Sequence, residues 1–281
     1  MSELSSKPVE ALFNHWRTQG DAPAGQAMAQ RVSDWFYAVT TCRLGDAHGR
    51  EPLQRACVRF QQGILGVNTP AELTEWSHGL LMEEVQKAGG RIGGGDFPNQ
   101  LTTGRSPTEL LNEVVGRLEP RQVALLAMAY DPSIPHESVT AAADKMGGYP
   151  LAVLRARLAC KRALHDGAGI GFSELPDEPN LDLGPLPLYE AGRMTKESEE
   201  TGFEKWMLTD MRLCKDIAEF GVFAQAIRAG ALRGAAAAAP KRPAKVSNDS
   251  RAVPTLTPAR LAGLGLALLV AAAAWLLFGQ T

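Results

Sequence analysis

Residues 118–166 read LEPRQVALLAMAYDPSIPHESVTAAADKMGGYPLAVLRARLACKRALHD, and two breaks divide this stretch into three helices. Pro120 suits the first turn of a helix, where its missing N–H costs no hydrogen bond. The polar, proline-containing sequence DPSIP at 131–135 ends that helix. The glycines at 147–148 end a second, shorter helix, since glycine adopts a positive φ without strain. The pattern therefore predicts an all-α unit whose second and third helices are joined by a glycine turn.

The third helix of this three-helix unit combines leucines at helical spacing with four cations. The cations are predicted to lie on its more polar sides. Such a helix fits the major groove of DNA, where arginine and lysine contact phosphates or base edges. The predicted DNA-binding residues are Tyr149, Arg155, Arg157, Lys161 and Arg162. A small helical packing unit with solvated cations is the alternative.

The composition is that of a globular protein, with 281 residues, 45% hydrophobic and 21% charged. The net charge of −2 excludes a chain that is basic overall, so any contact with nucleic acid must be local. The four cysteines are widely separated and form no CxxC pair, which supports neither a zinc ribbon nor a disulfide framework. The histidines are scattered, and no nucleophile has a base nearby in sequence. We therefore expect no enzyme, no metal site and no cofactor.

Residues 261–278 read LAGLGLALLVAAAAWLLF and carry no charge. At roughly 1.5 Å per residue, a helix of this length approaches the thickness of a bilayer core. Several Lys and Arg residues between 241 and 260 precede it, which by the positive-inside rule keeps the preceding chain in the cytoplasm. The pattern predicts a tail anchor, with a buried core helix as the alternative.

The rest of the chain alternates between helical segments and linkers. A capping box of Thr69 and Glu72 predicts one helix start in the N-terminal part. The glycine-rich segment lacks the spelling of a phosphate-binding loop and is interpreted as a linker. The predicted order is a helical domain at 8–88, a Gly-rich linker at 89–105, the helix-turn-helix domain at 106–166, a Pro/acidic linker at 167–194, an amphipathic helical segment at 195–230, an Ala/Pro/basic tether at 231–260 and the anchor at 261–278.

Two sets of residues carry a likeness to a known family. The matching positions are Arg17, Gly20, Asp21, Phe36, Tyr37, Leu44, Gly45, Asp46 and Trp76 in the N-terminal part, and Leu118, Arg121, Gln122, Leu125, Leu126, Val153, Arg157, Leu158 and Leu164 in the three-helix unit. In this order they resemble small bacterial sigma factors of the extracytoplasmic-function type. The resemblance implies a cytoplasmic two-domain helical protein that binds RNA polymerase and promoter DNA.

The N-terminal part departs from that family at two helices. Arg55 and Arg59 stand where the family carries acids that bind RNA polymerase. Glu83 and Glu84 lie in the helix that corresponds to the promoter-melting helix, where they would repel phosphate. We therefore expect a weakened polymerase contact, no promoter melting by this domain, and DNA binding confined to the three-helix unit.

The segment 195–230 is similar in placement to the small helical domain of membrane-bound anti-sigma factors. At the positions of the zinc set found there, this chain has Met207, Met211 and Cys214, of which only the cysteine is a usual ligand. Its apolar stripe, from Phe203 to Ile227, predicts either plain core packing or a surface that binds a protein partner or clamps the same chain.

Together these patterns predict a membrane-anchored, sigma-factor-like transcriptional regulator that binds DNA through a helix-turn-helix. It would span the bacterial inner membrane once, with its N-terminal domains in the cytoplasm. Expected partners are DNA, RNA polymerase, the membrane and an unknown protein bound through 195–230. The alternative is a degenerate sigma-like scaffold that binds a protein partner at the inner membrane without DNA binding.

Overall fold

The computed structural model describes residues 7–89 and 105–234, and every regular element in these two ranges is a helix. The α-helices are α1 (Val9–Gln19), α2 (Ala22–Gly63), α3 (Pro70–Lys87), α4 (Pro107–Val114), α5 (Pro120–Tyr130), α6 (His136–Asp144), α7 (Leu151–Ala168), α8 (Leu186–Glu190), α9 (Glu197–Thr209) and α10 (Met211–Arg228). The predicted all-α class is confirmed for this part of the chain.

The predicted anchor at 261–278 lies outside the described residues, as do nearly all of the tether and of the Gly-rich linker. Among the residues that are described, no helix combines the length and the apolarity needed to cross a membrane.

The helix starts follow local sequence signals. At the start of α3, the Glu72 N–H donates to Thr69 Oγ1 at 3.1 Å and the Thr69 N–H donates to Glu72 Oε2 at 3.3 Å. Ser106 and Glu109 form the same reciprocal pair at the start of α4. Pro120 is the first residue of α5. The predicted capping box and the proline start are both confirmed, because each satisfies or removes an N–H that has no partner in a first helical turn.

Helix α2 changes direction at Gly45, which has φ 84° and ψ 158°. An L side chain would be strained at that φ, so glycine permits the bend. Two helical segments, one on each side of Gly45, are thus joined in one kinked element.

The buried apolar side chains form two clusters. One lies among α1, α2, α3 and α9, and it includes Trp35 and Phe36. The other lies among α4, α5, α6 and α7, and it includes Tyr130. Helix α10 belongs to both, since Ile217 packs in the first cluster and Phe220 in the second.

The apolar stripe predicted between Phe203 and Ile227 is therefore used within the chain. Its buried members are Phe203, Met207, Leu213, Ile217, Phe220, Phe223 and Ile227. Core packing of this stripe is confirmed. The predicted linker 167–194 also contributes a helix, α8, in which Tyr189 and Glu190 are buried.

We predict that Phe220→Ala lowers the free energy of unfolding by about 3–5 kcal/mol, because it removes a fully buried ring from the helix shared by both clusters. Urea denaturation followed by circular dichroism measures this. Leu181→Ala is the control, since Leu181 is 58% exposed, and it should change stability by less than about 0.5 kcal/mol. Equal effects of the two substitutions would contradict the central position of α10.

Candidate nucleic-acid interface

The turn between α6 and α7 is built by two glycines in the left-handed region. Gly147 has φ 105° and Gly148 has φ 88°, as the sequence predicted. The Gly148 N–H donates to Ala143 O at 2.9 Å, and Gly148 O accepts from the Ala152 N–H at 2.9 Å. One residue thus ends α6 and starts α7, which fixes the direction in which α7 leaves the turn.

Helix α7 is covered on most of its circumference. The exposed residues of α7 are Arg155, His165 and Asp166, and Arg162 is half-buried. The N-terminal half of α7 therefore has one exposed cation, Arg155, while the middle of the helix lies inside the protein. Such a helix differs from the predicted one, whose four cations lay on its more polar sides.

Arg157 was predicted to face DNA, and the structure shows that it is buried instead. It is 4% exposed, and its Nε and Nη2 atoms lie 2.9 and 2.7 Å from the two carboxylate oxygens of Glu190. Its Nη1 lies 2.5 Å from Asp216 Oδ2, and its guanidinium sits 4.4 Å from the centre of the Phe220 ring. The prediction that Arg157 lies on an outer polar side is wrong, because acids from α8 and α10 pair with it internally.

Lys161 is buried in the same way. It is 2% exposed, its Nζ lies 2.5 Å from Asp216 Oδ1, and it stands 4.8 Å from the centre of the Phe172 ring. Its predicted position on a solvent-facing side is therefore also wrong. One turn apart on α7, Arg157 and Lys161 share the carboxylate of Asp216.

The carboxylates in this network were not singled out from the sequence. Glu190 also accepts from the Tyr130 hydroxyl at 2.5 Å. Burial acts to raise the pKa of Asp216, but Arg157 and then Lys161 outweigh it and hold that pKa below its ordinary value of 3.8. Asp216 stands directly before a buried isoleucine in the apolar stripe of α10. An acid beside that stripe was the one sequence signal that pointed to an internal ion pair.

The other three predicted residues lie at or near the surface. Arg155 is exposed, and its Nε lies 3.1 Å from Glu178 Oε2. Arg162 Nη2 lies 3.8 Å from Asp177 Oδ1. Tyr149 is half-buried with its ring centre 4.9 Å from that of His136, and burial raises the pKa of Tyr149 to about 12.

An open cavity of about 280 Å³ lies where the ends of three helices meet. Its lining includes Arg121 from α5, Lys145 from the end of α6 and Arg155 from α7, together with the carboxylate of Glu119. All three cations are exposed. Because Ala152 in the first turn of α7 also lines the cavity, the positive end of the α7 dipole adds to their charge. Arg121 and Lys145 were not predicted as site residues, since nothing in sequence spacing joins them to Arg155.

Two further carboxylates bind side chains of the N-terminal helices. Glu204 of α9 is fully buried and accepts from Arg43 Nε at 2.6 Å and from the Tyr189 hydroxyl at 2.8 Å. His78 Nε2 lies 2.9 Å from the same carboxylate. His78 is buried, and this acid of α9 pairs with it.

Glu84 holds three cations on the surface of α2 and α3. Its oxygens lie 2.7 Å from Arg55, 2.8 Å from Arg59 and 2.8 Å from Lys87. Lys87 and the two arginines lower the pKa of Glu84 to about 2. Glu51 also pairs with Arg55, and Glu83 with Arg59, so the arginines that stand in place of the expected acids are neutralised within the chain and little net positive charge is left on this face.

Within residues 7–89 and 105–234, no group of three or more His, Cys, Asp or Glu side chains is arranged to hold a metal ion. Comparison of the chain with protein-family models, curated proteins and solved structures gave no match. The resemblance to sigma factors therefore stays a prediction.

We predict that Asp216→Asn lowers the free energy of unfolding at pH 7 by about 3 kcal/mol, because Lys161 and part of Arg157 lose their buried counter-charge. The folded-state pKa of Asp216 lies below 3.8, so its stabilising effect is present above that pH and is lost as the pH falls through the folded value. Denaturation of both proteins between pH 7 and pH 3 should show the difference shrinking on the acid side. A constant difference would contradict the role of this charge.

Proposed function

We propose that the chain is a DNA-binding regulator that contacts the phosphate backbone of duplex DNA through Arg121, Lys145 and Arg155. The observation that carries this proposal is the cavity at the start of α7, where exposed cations from three different helices converge. With Glu119 included, the formal charge around the cavity is positive, whereas the whole chain carries −2. A slightly acidic protein that binds DNA at one site needs a local positive surface at that site.

In this proposal α6, the glycine turn and α7 form a helix-turn-helix. The first turn of α7 approaches the groove, and the cations around it contact phosphates on either side. Since Arg157 and Lys161 are internal, few side chains remain to reach base edges. Contacts of this kind position a protein on DNA without reading its sequence, so we expect weak sequence discrimination.

The buried cations stay out of the contact for an energetic reason. Exposing Arg157 and Lys161 requires α10 to separate from α7, which uncovers Phe220, Phe223 and Ile227. Each of these side chains is worth about 1.5–3 kcal/mol when buried, and the total approaches the whole stability of a typical domain, about 5–15 kcal/mol. DNA binding is therefore assigned to side chains that are already exposed while α10 remains packed.

The regulator is proposed to act at the inner face of a bacterial membrane, anchored by residues 261–278. This part of the proposal is supported by the uncharged sequence of that segment and by the basic residues before it. The sigma-like part is supported by the residue pattern alone. RNA polymerase is kept as a partner with a weakened contact, since Arg55 and Arg59 stand where the family carries acids.

A scaffold that binds a protein at the membrane without DNA is the second candidate. The observation that favours it is the burial of Arg157 and Lys161, which gives half of the α7 cations a structural role. Recovery of an envelope complex without RNA polymerase, from membranes that contain the full-length protein, would support the scaffold.

We predict that the full-length protein in detergent binds duplex DNA, with an affinity that falls as salt rises. Each of Arg121→Ala, Lys145→Ala and Arg155→Ala should weaken binding to all sequences alike and reduce the slope of log affinity against log salt by about 1. Fluorescence anisotropy at several salt concentrations measures this.

Lys196→Ala is the matched control, because Lys196 is an exposed lysine at the start of α9 and does not line the cavity. Its effect on affinity and on slope should be negligible. A salt-independent affinity, or the same loss in the control as in the three cavity variants, would show that the cavity is not the DNA contact.

We predict that removal of residues 261–281 shifts the protein from the membrane fraction to the supernatant after carbonate extraction. The full-length chain should remain with the membranes, since an apolar helix in the bilayer core resists this treatment. Replacing three alanines between 271 and 274 by arginine tests the same point without truncation. A truncated protein that still sediments with membranes would contradict the anchor.

A further inference from the structure

The stretch that joins α7 to α8 includes a run of acids without a single base. Residues 173–183 read SELPDEPNLDL and are called here the acidic strap. Its four carboxylates belong to Glu174, Asp177, Glu178 and Asp182, and all four residues are exposed. The strap carries a charge of −4 and lies beside the helix that the proposed function assigns to DNA.

Two of these carboxylates pair with the surface cations of α7. Glu178 lies 3.1 Å from Arg155, and Asp177 lies 3.8 Å from Arg162. Arg162 also donates to the backbone carbonyl of Pro176. The strap thus occupies both α7 arginines that remain outside the buried network.

The ends of the strap are fastened to other parts of the fold. The Ser173 N–H donates to Glu219 Oε1 of α10 at 2.9 Å, and Leu183, in a 3₁₀ turn, packs against the first apolar cluster. Between these ends, the polar contacts of the strap with α7 are two exposed ion pairs and the hydrogen bond from Arg162 to the Pro176 carbonyl. Arg155 and Glu178 are 47% and 70% exposed at their side chains.

Exposure separates these pairs from the buried ones. Arg157 and Lys161 are held by carboxylates inside the protein, where separation uncovers apolar side chains as well. The pairs of Arg155 and Arg162 face water, and such pairs are weak, screened by salt and open to exchange with another anion. A phosphate can therefore replace the strap carboxylates without disturbing the core.

We propose that the acidic strap is an intramolecular competitor for DNA, with the carboxylates of Glu178 and Asp177 taking the places of two phosphates at Arg155 and Arg162. This inference rests on the proposed function and adds its regulation. The competing anions are part of the same chain, so they are present at high effective concentration and lower the affinity of the resting protein for DNA. Conditions that neutralise or withdraw the strap raise that affinity.

The test compares two double variants of the full-length protein that remove the same charge from the same strap. Asp177→Asn with Glu178→Gln removes the two carboxylates that face α7. Glu174→Gln with Asp182→Asn is the matched control, because Glu174 lies near Arg212 of α10 and Asp182 forms no ion pair within the described residues. Thermal unfolding of the wild-type protein and of the two double variants establishes that all three are folded before DNA is added.

We predict that the first variant binds a duplex about three- to tenfold more tightly than the control variant at low salt, since two competing ion pairs are gone. The control changes overall charge equally and should gain less than about twofold. Adding Arg155→Ala to the first variant should remove most of the gain. Hydrogen exchange should also show faster exchange of the strap amides when DNA binds the wild-type protein.

Equal affinities of the two double variants would overturn the role of the strap while leaving the proposed DNA binding intact. Retention of the gain after Arg155→Ala would overturn it as well, because the competition would not act at that arginine. Absence of DNA binding by every one of these proteins at low salt would overturn the proposed function, and the strap's role would fall with it.

Discussion

The arrangement around α7 depends on one buried interaction, the pairing of Arg157 with Glu190 and Asp216. A guanidinium that is 4% exposed is tolerated only when its charge and its N–H groups are matched. Both partners belong to helices that follow α7 in the chain, and the Phe220 ring covers the guanidinium. Helix α7 is therefore satisfied only when α8 and α10 pack against it, and the three-helix unit is not a separable piece of this protein.

A second carboxylate, that of Glu204, joins α9 to the N-terminal helices in the same way. Glu204 of α9 receives Arg43 and His78 from the N-terminal helices, just as Asp216 of α10 receives cations from α7. The segment 195–230 thus supplies one acid that pairs with cations and a set of apolar side chains to each cluster. The apolar face that was a candidate surface for a protein partner is buried within the chain. A partner that binds this segment would therefore have to contact the polar residues of the segment or displace the segment from the core.

Local signals in the sequence predicted the helices well. Each of these signals acts on the backbone next to it: Thr69 and Glu72 cap the start of α3, Pro120 begins α5, and the glycines at 147–148 adopt the positive φ of a turn. Because the residues concerned are close together in the chain, such signals can be read from the sequence.

The outward or inward direction of a cation depends on partners that are remote in sequence. Arg157 and Glu190 are 33 residues apart, and Lys161 and Asp216 are 55 apart. Helical periodicity placed both cations on polar sides of α7, and it carries no information on whether a polar side meets water or an acid from another helix. The convergence of Arg121, Lys145 and Arg155 was missed for the same reason.

The charge balance of α7 explains why a weak surface contact can change the affinity for DNA strongly. Its four cations, Arg155, Arg157, Lys161 and Arg162, face four carboxylates of the segments that follow, those of Asp177, Glu178, Glu190 and Asp216. This set is electrically neutral, so the attraction of the resting protein for phosphate comes mainly from Arg121 and Lys145, opposed by Glu119. Releasing the two strap carboxylates adds two cations to a surface that otherwise has about one in excess. A small number of exposed ion pairs therefore sets a large fraction of the field that DNA meets, while the buried pairs keep the helix in place.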